Sequence, residues 1–102
     1  VVDLAKGHVK AIEYSAEHKG TEIFNLGTGV GYSVLDIVKA FEKANSIEIP
    51  YVIKPRRAGD IAECFANATK AKNVLGWVAE KNLEDMCRDS WNWQSHNVNG
   101  YK

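Results

Sequence analysis

The chain has 102 residues, 45% of them apolar, with 13 Lys+Arg against 13 Asp+Glu for a formal net charge of zero. That length suits one small α/β domain burying about two-thirds of its unfolded surface. The even charge balance argues against a general nucleic-acid binder and against attraction to an acidic membrane, and there is no 18-residue apolar run or signal peptide.

Along the chain, Asp3 is placed to N-cap a first helix whose stripe is Leu4, His8, Ala11, Ile12 and Ser15, with Gly20 as its stop. The chain opens straight into this helical pattern without an initiator methionine, as a piece of a longer protein would. Glu22 to Leu26 reads as a short strand, and Gly27, Gly29 and Gly31 as a flexible turn. Ser33 with Asp36 forms a capping box, aspartate standing in for glutamate. The helix it opens carries Val34, Leu35, Ile37, Val38 and Phe41. Pro50 breaks the pattern, Tyr51 to Lys54 reads as a strand, and a further short strand is expected near Cys64 to Ala66. Asn67 can cap a short helix ending at Leu75, stopped by Gly76 with Trp77 as its clasp. Asn82 with Asp85 starts the last helix, whose inner face is Leu83, Met86, Cys87, Ser90 and Trp91. Trp93 lies about 200° from Trp91 on that helix and needs another surface. Asn97, Asn99 and Gly100 end it. The expected order is α-β-α-β-(β)-α-α.

Few motifs carry chemistry. Gly27-Thr28-Gly29-Val30-Gly31 lacks the GxGxxG spacing of a dinucleotide fingerprint, since Tyr32 stands three residues past Gly29, so a strand-to-helix turn is the simpler reading. No Tyr-xxx-Lys pair exists: His18 follows Tyr14 and Asp36 follows Tyr32 at that spacing, and Lys54 is only three residues past Tyr51. GxSxG, HExxH and the P-loop are absent. Glu84 and Asp85 sit where they complement a helix dipole. Cys64 and Cys87 are read as free thiols in a reducing cytoplasm, and His8, His18 and His96 stand at no zinc-ligand spacing to them.

Pro55-Arg56-Arg57-Ala58-Gly59-Asp60 stands apart. Two guanidiniums offer planar forks that match phosphate oxygens. The glycine allows close backbone approach, and the carboxylate can accept from sugar hydroxyls or hold one arginine. A solvated surface loop is the plain alternative. Its place beside a strand end, followed by small and apolar residues, favours a grip on a diphosphate sugar.

With those residues in hand, the chain resembles the C-terminal part of the UDP-hexose 4-epimerase branch of the extended short-chain dehydrogenase/reductases. The resemblance spans essentially the whole chain. It rests on Val2-Asp3-Leu4-Ala5 with Gly7-His8, on Phe24-Asn25-Leu26-Gly27-Thr28-Gly29 leading into Ser33-Val34-Leu35, on the Pro55–Asp60 run, and on Trp91-Asn92-Trp93-Gln94. It implies a small C-terminal substrate-binding domain, helices with a few short strands, here residues 1–102 without the Rossmann cofactor domain.

Members of the branch bind NAD in that other domain and interconvert UDP-glucose and UDP-galactose through a 4-keto intermediate. By the resemblance, Arg57 matches the arginine on the diphosphate and Asp60 the carboxylate near the uridine ribose. Cys64 matches a position beside the sugar held by tyrosine or by a small residue that leaves room for an N-acetyl group. The cofactor loop, the Tyr-xxx-Lys pair and a further arginine are missing. No catalytic residue is therefore expected here, and the isolated chain should be inactive and cytoplasmic. It should also self-associate through faces that the missing domain would cover. The rivals are a related sugar-nucleotide dehydratase or decarboxylase fragment, and a non-enzymatic module that binds an anion or a protein.

Overall fold

The computed structural model describes residues 1–101. Helix α1 spans Val2–Glu17, α2 spans Val34–Asn45 and α3 spans Leu83–His96, with a short π-helical segment at Ala71–Leu75. The chain divides into two compact units. The first comprises Val1–Gly31 with Phe65–Asn82, and the second Tyr32–Cys64 with Leu83–Lys102.

No strand forms among the described residues, which corrects the expectation at 22–26, 51–54 and 64–66. An apolar run shows which side chains want cover. A strand also needs a neighbour to complete its ladder of hydrogen bonds, and these segments find none among the described residues.

In the first unit, α1 starts two residues earlier than expected. Val1 is its N-cap and supplies no side-chain cap bond. Asp3 lies inside the first turn, 9% exposed. Its Oδ2 accepts from the backbone N–H groups of Glu80 at 3.0 Å and Lys81 at 2.7 Å. The carboxylate thus serves the returning chain and not its own helix. Trp77, 5% exposed, donates Nε1–H to the Asp3 carbonyl at 2.8 Å.

The buried side of α1 follows from this. Asp3 and Gly7 are buried, with Ala11 and Tyr14 half-buried, whereas Leu4, His8, Ile12 and Ser15 of the expected stripe are exposed. Glycine inside a helix costs roughly 1 kcal/mol relative to alanine. Here close packing requires it: a Cβ on Gly7 would stand 2.5 Å from Leu26 Cδ1 and 3.3 Å from Trp77 Nε1.

The π-helical segment carries the core. Ala71, Leu75 and Trp77 are buried, with Tyr14, Phe24, Leu26, Ala68 and Ala79 packed on them. Asn67 Oδ1 accepts from Thr69 N–H at 3.0 Å just ahead of this stretch, but its N-cap is Lys70, with no side-chain cap bond, in place of the expected Asn67. Gly76 takes the left-handed conformation at φ 68°, and Trp77 N–H reaches back to the Ala71 carbonyl at 3.2 Å. That is the expected stop and clasp. Helix α1 ends at Glu17, before Gly20, with the His18 ring stacked 3.9 Å from the Tyr14 ring.

In the second unit, α2 starts as its sequence demands. Ser33 Oγ accepts from Asp36 N–H at 3.1 Å, and the Asp36 carboxylate accepts from Ser33 N–H at 3.0 Å. Helix α2 packs on α3. Phe41 meets Trp91 edge-on at 6.0 Å, and Asn45 donates to the Cys87 carbonyl at 3.2 Å. Cys87 is the buried residue of α3, and burial pushes its thiol above the ordinary range. Trp93 is about half exposed.

Candidate nucleotide-sugar site

The Pro55–Asp60 run folds back on itself. Asp60 N–H donates to the Arg57 carbonyl at 3.1 Å, closing a tight turn. Gly59 sits in it at φ 87°, a left-handed conformation that glycine takes without a Cβ penalty. The Asp60 side chain then doubles the closure. Its Oδ2 accepts from Arg57 N–H at 2.9 Å and from Arg57 Nε–H at 3.2 Å.

The two residues singled out from the sequence are therefore held together by one carboxylate oxygen. The Arg57 side chain is 87% exposed and that of Asp60 36%. Among the described residues, neither Nη group of Arg57 is hydrogen-bonded, so the outward pair of donors is open to a ligand. Arg56 makes no such turn contact and is exposed. Cys64 is an exposed free thiol four residues further on, with no hydrogen bond to Arg57 or Asp60 among the described residues.

The residues at Gly27–Gly31 do not fit a dinucleotide. A pyrophosphate on a helix N-terminus uses the free backbone N–H groups and the positive end of the dipole. At the start of α2 the N–H groups of Ser33 and Asp36 are already taken up by the capping box. The Ser33 backbone N–H, then the Ser33 hydroxyl, hold the Asp36 carboxyl below its ordinary value, so the helix end carries a negative charge where a phosphate would come. The start of α2 is thus occupied by its own cap.

The open grooves lie elsewhere in the sequence. One, about 490 Å³, is lined within the first unit by Leu4, Gly7, His8, Phe24, Leu26 and Leu75 among others. Part of the expected α1 stripe faces this groove instead of the core. Glu22 at its margin pairs with Lys70 at 2.6 Å, and that ammonium, the nearest donor, holds the Glu22 carboxyl below its usual range. Sequence reasoning missed the roles of Asp3 and Lys70. Each depends on a partner tens of residues away, and no local pattern announces it. Among the described residues no cluster of His, Cys, Asp or Glu could hold a metal ion, and no helix is long and apolar enough to cross a membrane.

The sequence profile described as GDP-mannose 4,6 dehydratase matches residues 3–90, and the chain belongs to that family. Among individual relatives it is 62% identical to UDP-glucose 4-epimerase from Bacillus subtilis over 102 residues, which are all of this chain and 30% of the relative. It is 52% identical to the human UDP-glucose 4-epimerase, over 99% of this chain and 29% of that protein. The crystal structure of UDP-glucose 4-epimerase from Bifidobacterium longum in complex with NAD+ and UDP matches with a TM-score of 0.88 at 56% identity, over 98% of this chain and 30% of that one. The chain thus spans about a third of the length of the relatives it matches.

Proposed function

We propose that this chain is the C-terminal, UDP-sugar-binding part of an NAD-dependent UDP-glucose 4-epimerase. In that reading Arg57 grips the diphosphate, Asp60 lies towards the uridine ribose and Cys64 borders the hexose. The observation that carries it is the 0.88 TM-score at 56% identity to an epimerase solved with NAD+ and UDP, running across the arginine turn. The family profile is described by a dehydratase, but a profile groups related chemistries, and the individual relatives at 52–62% identity are epimerases. The proton- and hydride-transfer machinery lies outside these residues, since no Tyr-xxx-Lys pair is present and the glycine segment fits no dinucleotide.

Three measurements test this reading. Mixed with UDP-galactose and NAD, the isolated chain should yield no UDP-glucose above a heated control. In the longer protein, Arg57→Ala should weaken UDP binding about ten- to a hundredfold, because a charge-assisted fork to phosphate is worth roughly 1.5–3 kcal/mol. Arg56→Ala should do much less, and equal losses would leave only a diffuse basic loop. For Cys64, the small side chain leaves room beside the sugar, so the longer protein should accept UDP-N-acetylgalactosamine, and Cys64→Tyr should lose that substrate while keeping UDP-galactose.

The same reading has the isolated chain self-associate. Val2, Leu4, Val9 and Ile12 of α1, with Ile23, are 45–75% exposed and apolar, the kind of surface that recruits another chain. Sedimentation at rising concentration should show dimers or larger species; a monomer throughout would end this part of the proposal.

A further inference from the structure

We propose that Pro50 and Pro55 guard an open β-edge at residues 51–54 against pairing with a second copy of this chain. Tyr51, Val52 and Ile53 are three large apolar side chains in a row, 56–80% exposed. Residues 51–54 make no backbone–backbone hydrogen bond among the described residues, so their N–H and C=O groups are open to a neighbour. Bare backbone beside exposed apolar side chains is a template for another chain. The sequence has two prolines in all, and they stand at the two ends of this segment.

Without Pro50 the edge would be longer. Ile47, Ile49, Tyr51 and Ile53 fall on alternate positions, as one face of a seven-residue strand does. Pro50 divides that pattern, and the structure treats its two halves differently. Upstream, Ile47 N–H donates to the Glu42 carbonyl at 3.3 Å and Ile49 N–H to the Glu42 carboxylate at 3.2 Å, with both isoleucines half-buried. Downstream, the backbone is open. Proline has no N–H, so a ladder that crosses residue 50 loses a donor there.

The open part is then four residues, roughly 13 Å of strand, against the five or six residues of an ordinary one. At its far end Pro55 removes a second donor. Lys54, Arg56 and Arg57 add positive charge, so two copies laid side by side bring like charges together. The inference deepens the self-association reading: it assigns association to α1 and Ile23 and away from this edge.

The test compares the chain with its Pro50→Thr variant by sedimentation at rising concentration, with amide exchange on the same samples. Threonine restores the N–H and suits a pleated strand. The concentration at which larger species appear should fall about five- to thirtyfold, the gain from one or two net backbone hydrogen bonds per pair of copies. The amides of Tyr51, Val52 and Ile53 should then exchange slowly. Adding Val52→Lys to Pro50→Thr should cancel the gain, because a charge on the edge replaces the lost guard. Adding Ile12→Lys, on α1, should leave the gain in place.

No gain in Pro50→Thr would overturn the guarding role. So would a gain that Ile12→Lys removes and Val52→Lys spares, because the substitution would then have loosened the fold and not opened the edge. Slow exchange at residues 51–53 in associated species of the unaltered chain would overturn it too, since the edge would be pairing in spite of its prolines. An unaltered chain that stays monomeric would end the self-association reading, while the Pro50→Thr comparison would still decide the guarding role.

Discussion

The two units are built by different means. In the second, the start of α2 and the arginine turn are fixed at short range, although α2 also packs on α3. Ser33 and Asp36 cap each other three residues apart, and Arg57 and Asp60 close a turn three residues apart. In the first, the deciding contacts join residues more than seventy positions apart: Trp77 to Asp3, and Asp3 to Glu80 and Lys81. A capping box or a four-residue turn carries its own partner and forms wherever the sequence occurs. A buried carboxylate that accepts from a distant backbone has meaning only once the chain has returned. The comparison teaches that the proposed binding loop is preorganised locally, while the first unit depends on tertiary closure.

The strongest way to break the comparison is Trp77→Ala. Truncating a buried tryptophan costs about 3–5 kcal/mol and here also leaves the Asp3 carbonyl without its donor. Urea unfolding should show that loss, with amide exchange rising first at Ala71–Leu75. Equal and simultaneous loss of protection in α2 would show that the units do not differ in this way.

Asp3→Ala comes next. It strands the Glu80 and Lys81 N–H groups, at a cost of about 1–3 kcal/mol by urea unfolding. Asp3→Asn, which keeps an acceptor, should lose less. Equal losses in the two variants would show that the negative charge, and not the acceptor, is what counts.

Ser33→Ala should cost the second unit about 1 kcal/mol, read by circular dichroism on urea titration. The same cap gives a pH dependence. Hydrogen bonds from Ser33 lower the folded pKa of Asp36 below its unfolded value, so its contribution is present above the ordinary carboxylate range and lost as pH falls through the folded value. The thiol of Cys87 behaves oppositely. Burial raises its folded pKa, so its contribution is complete below the ordinary thiol value and lost as pH rises through the raised one. In Asp36→Ala the acid-side loss should shrink while the alkaline-side loss stays.

The smallest effect is a gain. Ser46 ends α2 in the left-handed region at φ 53°, a non-glycine residue where glycine carries no penalty. Ser46→Gly should stabilise by about 0.5–1 kcal/mol in the same urea assay. A loss would mean that the serine side chain is worth more than the strain.

Much of the molecule was legible from residues alone, and the legible parts share one property. The α2 cap, the Gly76–Trp77 stop and the closeness of Arg57 to Asp60 each depend on partners within a few positions, and each can be read from spacing. The buried side of α1 could not. Leu4, His8, Ala11 and Ile12 make a fair helical stripe, yet the packed side runs through Asp3 and Gly7, because Trp77 and Leu26 press close only where no Cβ intervenes. Nor could the absence of strands be read, since 22–26 and 51–54 have the apolar pattern and lack the partner. Sequence by itself determined the α2 capping box, the Gly76 stop and the arginine–carboxylate pair, because short-range hydrogen bonds are complete within their own segment. Tertiary structure alone decided which face of α1 is buried and which polar groups join its ends, because those free energies exist only when segments far apart in the chain exclude water together.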